Sequence, residues 1–121
     1  MEAKKGKLFL VDWDVIAVDE HAKHLYEDGW EVESESVDPR KAFDLIKSYR
    51  SNVVVIYLSH MQAYGRALAD DLRSSEETKE IPILFVDGKE KAVKKALAET
   101  PDAIHTTQED VLGELLRFRD R

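Results

Sequence analysis

A chain of 121 residues that is 43% apolar and 36% charged has material for one packed core, which argues against both a disordered polymer and a pair of independent domains. A net charge of -7 opposes attraction to nucleic acid or anionic lipid, and the absence of cysteine removes disulfides, thiolate nucleophiles and thiolate metal sites. No apolar run is long enough for a bilayer span, and Asp12 and Asp14 interrupt the stretch a secretion signal would need, so neither nucleic acid nor membrane is expected as partner and the cytoplasm is the expected location.

Short apolar runs alternate with longer amphipathic stretches along the chain, the pattern of repeated strand–helix units around a parallel sheet. Lys7 to Val11 reads as the first strand. Val15 to Asp28 follows as a helix, with Val18, Ala22, Leu25 and Tyr26 at helical spacing and Gly29 as terminator. Trp30 to Ser34 alternates apolar and acidic residues, as an edge strand would. Asp38 offers a cap oxygen and Pro39 fits a first helical position, so the second helix is expected over 39–49 with Ala42, Phe43 and Ile46 inward.

Val53 to Leu58 is β-branched and apolar at nearly every position, which suits a central strand covered on both faces. Gly65 to Ser74 places Leu68 and Leu72 on one face of a third helix, and a polar connection leads to a fourth strand over 81–86. Asp87 and Gly88 turn the chain into a fourth helix, Lys89 to Glu99, with a narrow stripe of Ala92, Val93, Ala96 and Leu97 beneath Lys89, Lys91, Lys94 and Lys95. Ala103 to Thr106 reads as a short fifth strand. Thr106 or Thr107 is placed to cap a last helix carrying Val111, Leu112, Leu115 and Leu116. The expected fold is one α/β domain, a doubly wound five-stranded parallel sheet in the order 2-1-3-4-5, with its core over about residues 7–118.

In an open parallel sheet the ligand site forms beyond the carboxyl ends of the strands, here Asp12 to Asp14, Tyr57 to His60, Asp87 with Gly88, and Thr106 to Gln108. The acids in Leu10-Val11-Asp12-Trp13-Asp14, the apolar strand ending near Tyr57, Gly65 beyond it, and Thr78 leading into Ile81-Pro82-Ile83-Leu84 occur in a characteristic order. In these features the chain resembles the receiver domain of bacterial response regulators over nearly its whole length. The resemblance implies a flavodoxin-like signalling domain. Its family chemistry is an aspartate after the third strand that accepts a phosphoryl group, Mg²⁺ held by an acidic pair, and a hydroxyl and a lysine on the phosphoryl oxygens.

Carried over residue by residue, that chemistry is dismantled. Tyr57 stands where the accepting aspartate belongs, Trp13 at the second position of the acidic pair, Asp87 at the hydroxyl position and Thr107 at the lysine position, while Gln108 replaces the following proline. A phenol with a pKa of about 10 is protonated at neutral pH, and a carboxylate in place of a hydroxyl, with the lysine gone, reverses the field a transferring phosphoryl needs. The expectation is therefore a pseudo-receiver, neither phosphorylated nor an enzyme, that binds a protein through its fourth helix, fifth strand and fifth helix. Lys89, Lys91, Lys94 and Lys95 would meet an acidic partner or, in a symmetric homodimer, Glu109, Asp110 and Glu114 of the second copy.

Other readings of the same residues compete. Asp12, Asp14 and Asp87, with Ser59, would suit Mg²⁺ or Ca²⁺, and His60 beside them a base, in a metal- or small-molecule-binding domain. The favoured alternative has these acids capping the helices that follow, with no resident cofactor or metal. Trp13 and Tyr57 are expected to form one aromatic floor filling the former pocket, and His21, His24 and His60 to lie on the surface.

Overall fold

The computed structural model describes residues 4–119. Five parallel strands, β1 (Gly6–Val11), β2 (Trp30–Glu35), β3 (Val53–Tyr57), β4 (Ile83–Val86) and β5 (Ile104–Thr106), form one sheet in the order β2-β1-β3-β4-β5. They alternate in sequence with helices α1 (Val15–Glu27), α2 (Pro39–Tyr49), α3 (Gln62–Ser74), α4 (Glu90–Glu99) and α5 (Val111–Leu115), the last tightening into a 3-10 turn at Leu116–Phe118. Among the described residues no helix is long and apolar enough to cross a membrane.

Because successive strand side chains point to opposite faces, the all-apolar strands feed two cores at once. Phe9, Val11, Val54, Ile56, Ile83 and Phe85 pack on one face beneath Phe43, Ile46, Leu68, Leu72 and Ala96 of α2, α3 and α4. Leu8, Leu10, Val53, Val55, Leu84 and Val86 pack on the other beneath Val18 and Leu25 of α1 and Val111 and Leu115 of α5. β3, fully buried, is the central strand the sequence implied.

Element boundaries differ from expectation where backbone hydrogen bonds are spent elsewhere. β4 begins at Ile83 because Pro82 has no N–H and the Ile81 amide already donates to the Thr78 carbonyl at 3.0 Å. Thr78 is itself buried, and its hydroxyl donates to the Leu72 carbonyl at 2.7 Å, closing the end of α3. β5 begins at Ile104, since the Ala103 amide donates to the Thr100 carbonyl. α3 starts three residues before Gly65. That glycine lies inside the helix, where a Cβ would stand 2.8 Å from Ile56 Cγ2, so it permits close helix–sheet packing and does not open the helix.

Two surface assignments also change. Tyr26 turns outward under the Lys4 ammonium instead of joining the core. Leu116, expected on the last helix, instead begins the 3-10 turn and is 51% exposed. Neither threonine caps α5: its N-cap is Asp110, and the Thr107 hydroxyl reaches the Asp110 carboxylate at 3.4 Å.

The cap on α2 is as expected. Asp38 accepts from the Arg40 amide at 2.9 Å ahead of Pro39. Asp38→Ala should cost about 1 kcal/mol in urea unfolding; an unchanged midpoint would show that the helix is held by its buried face alone.

Candidate functional site

At the carboxyl ends of the strands the chain turns sharply from sheet to helix. Asp14, in extended backbone, caps α1 by accepting from the Ile16 and Ala17 amides at 3.0 and 2.9 Å. The Ala17 bond is the largest cause holding its carboxyl below the usual range. The expected capping role thus holds for Asp14. It fails for Asp87, whose left-handed backbone (φ 58) aims its carboxylate across to the turn after β5, where it accepts from the Gln108 amide at 2.9 Å. The His105 Nε2–H donates to the Asp87 carbonyl at 2.9 Å, so this turn is tied both to β5 and to the segment that follows it. α4 starts instead at an N-cap Lys89, with no side-chain cap.

Asp12 caps nothing. Only 1% exposed, it faces two imidazoles: His60 Nδ1 lies 3.1 Å from its Oδ1, and His21 Nε2 lies 3.6 Å from its Oδ2. Burial pushes the Asp12 carboxyl up, and the two rings pull it back down. His60 also reaches Asp14, Nε2 to Oδ2 at 3.8 Å, and so bridges the loops after β1 and β3. The expectation of a surface position fails for His21, which is half-buried, and holds for His24 and for His60, which is exposed while it engages Asp12.

The signal for His21 lay in its place three residues after Val18 and four before Leu25, within the inward stripe of α1. The signal for His60 did not exist in the sequence, because it depends on how two loops approach one another.

Tyr57 ends β3 and is 1% exposed. His21 stacks flat on its ring, centroids 3.9 Å apart at 6°, and its hydroxyl donates to Gln108 Oε1. Burial first, then the Asp87 and Asp12 carboxylates, push the phenol pKa well above its ordinary value. Trp13 does not join it. β1 and β3 pair with Val11 opposite Ile56, so Trp13 continues the face of Val11 and Ile56 while Tyr57 belongs to the other face. Trp13 packs edge-on against Tyr64 at 5.8 Å. The expected aromatic floor is therefore two separate plugs on opposite sides of the sheet.

The remaining expected residues are dispersed. Thr107 is exposed beside Asp110, and Ser59 faces a groove between the β3–α3 loop and α4. On α4, Lys89, Lys91, Lys94 and Lys95 are exposed, with Lys94 held by Glu90 at 3.2 Å. Glu109 and Asp110 are exposed, and Glu114 is paired within its own helical turn to Arg117 at 3.0 Å.

Solved structures resemble this arrangement closely in backbone. A receiver domain of a response regulator from Bermanella marisrubri superposes with a TM-score of 0.77 at 20% identity, covering 95% of this chain and 98% of that one. A LuxR-family two-component response regulator from Aurantimonas sp. gives 0.75 at 18% identity, over 96% of this chain and 88% of that one. This is the receiver fold. The receiver domain of the putative response regulator NarL from Mycobacterium tuberculosis agrees, at 0.72 and 17% identity over 96% and 99% of the two chains. Neither a family model nor a curated protein sequence matches the chain.

Receiver chemistry implies a divalent cation among these strand ends, and the donor set here fits one poorly. Both Asp12 oxygens face imidazoles, Asp87 is turned to a backbone amide, and Tyr57 is a neutral phenol bonded to Gln108. Among the described residues no group of three or more His, Asp or Glu side chains is arranged to hold a metal ion.

Burial also holds the His21 pKa below that of a free imidazole, against the pull of Asp12, Asp87 and Glu20 and with a small push from His24. A folded pKa below the unfolded 6.5 means that stability is present above pH 6.5 and is lost as pH falls toward the folded value. His21→Phe keeps a ring on Tyr57 but takes up no proton. Its unfolding free energy should fall less than the parent's between pH 7 and 5, and parallel curves would rule out a titrating role for His21.

Proposed function

We propose that this receiver fold works as a protein-binding signalling module without phosphorylation and without enzymatic turnover. The observation that carries the reading is Tyr57: at the carboxyl end of the central strand stands a buried, protonated phenol engaged with Gln108 and flanked by Asp12 and Asp87. Acyl-phosphate formation needs an ionised carboxylate there and cations on the phosphoryl oxygens, and this site offers neither. The acidic net charge favours a protein over nucleic acid or membrane as partner. The lysines of α4 and the acids of α5 are the residues proposed to meet it, on another protein or in a homodimer.

The test is incubation with acetyl phosphate and Mg²⁺ followed by intact-mass measurement, alongside thermal melting with Mg²⁺, Mn²⁺ and Ca²⁺. The expected outcome is an unchanged mass and an unchanged melting midpoint, since any ligand of the folded state raises it by mass action. A stable phosphoryl adduct would overturn the reading. A midpoint raised by a divalent ion and restored by Asp12→Ala would favour a metal-binding domain built on Asp12, Asp14, Asp87 and His60 instead.

A further inference from the structure

Between α3 and α4, at the carboxyl end of the sheet, lies a groove of about 600 Å³. Leu58, Met61 and Ala92 supply apolar surface, and Lys89, Lys91 and Lys95 stand around it. Helical spacing explains why these lysines and not Lys94 face it. Lys91, Lys95 and Glu99 form one i, i+4, i+8 row along α4, and Glu99 is bonded to Arg66 of α3 at 3.0 and 3.1 Å. That row therefore faces α3. Lys94 lies on another row and is neutralised by Glu90, whereas among the described residues no carboxylate pairs with Lys89, Lys91 or Lys95.

Two backbone features shape the walls. Met61 opens α3 in left-handed backbone (φ 43) and is 56% exposed, an unusual cost for a non-glycine residue and for an apolar one. Gly88 brings the opposite loop against Leu58, since a Cβ there would meet Leu58 Cβ at 2.6 Å. An apolar floor ringed by three unneutralised ammonium groups, on a chain whose net charge is -7, is a local reversal of sign.

We infer that this α3–α4 groove docks an acidic protein segment that inserts one apolar side chain between Met61 and Ala92 and sets carboxylates against Lys89, Lys91 and Lys95. The inference rests on the binding-module reading above and moves the contact from the α5 flank of α4 to its α3 flank. Charge complementarity selects the segment, and the thioether of Met61 adapts to the inserted side chain.

The test is titration of the ¹⁵N-labelled full chain with an acetylated, amidated peptide Glu-Glu-Leu-Phe-Glu-Glu, followed by amide shifts. Saturable shifts at Leu58, Met61, Gly88 and Ala92 are expected. They should weaken about tenfold in the Lys91→Glu, Lys95→Glu double variant, stay within about twofold in Lys94→Glu, and weaken severalfold at high salt. A control peptide with Lys in place of Glu should not bind.

Shifts centred on His105 and Leu116 instead would overturn the groove while leaving the binding-module reading intact, and absence of saturable binding would overturn the groove outright. A dimer in sedimentation that the double variant dissociates would show the occupant to be a second copy and not an acidic segment. Failure of the parent reading is separately visible, as a phosphoryl adduct on the chain.

Discussion

Tyr57→Ala is expected to cost about 3–5 kcal/mol of unfolding free energy, the range for removing a large aromatic ring from a packed core. The ring lies at the end of the central strand, covered by His21 on one side and by the Leu10, Val55 and Val86 face of the sheet around it. Tyr57→Phe keeps the ring and loses only the bond to Gln108, so it should cost about 1 kcal/mol. A small loss for alanine in urea unfolding would mean that the surroundings close over the space or that the ring is not tightly packed there. Equal losses for the two variants would mean that the hydroxyl, and not the ring, is what the fold requires.

Gly88→Ala is the second large effect, about 2–4 kcal/mol, from two causes that add at one atom. The backbone at Gly88 is left-handed (φ 95), which L side chains rarely adopt, and the new methyl would lie 2.6 Å from Leu58 Cβ, an atom too close to its own backbone to swing aside. The neighbouring Asp87 is left-handed as well and is tied to Gln108 and His105, so the loop has little room to yield. Measured unfolding free energies within error of the parent would show that the β3–α3 loop moves away freely. In that case the groove wall at Leu58 is not fixed in advance, and peptide binding in the variant should be unchanged.

Strand and helix order, the two-faced burial of β3 and the cap at Asp38 were all legible in the sequence. Each is imposed by local geometry: side chains repeat every two residues in a strand and about every 3.6 in a helix, and a cap oxygen acts within one turn. That the central strand ends on a phenol and not a carboxylate was legible for a simpler reason, since it needs only the residue type at Tyr57.

What lay beyond the sequence is everything decided by register and by a few backbone angles. Trp13 and Tyr57 are assigned to opposite faces only by the pairing of Val11 with Ile56. Asp87 was expected to cap a helix, but its positive φ turns the carboxylate to Gln108 instead. His60 meets Asp12 because the loops after β1 and β3 leave neighbouring strands side by side, a contact between residues 48 apart that no local pattern encodes. Periodicity reports which way a side chain faces, whereas only the packed sheet decides what it meets there.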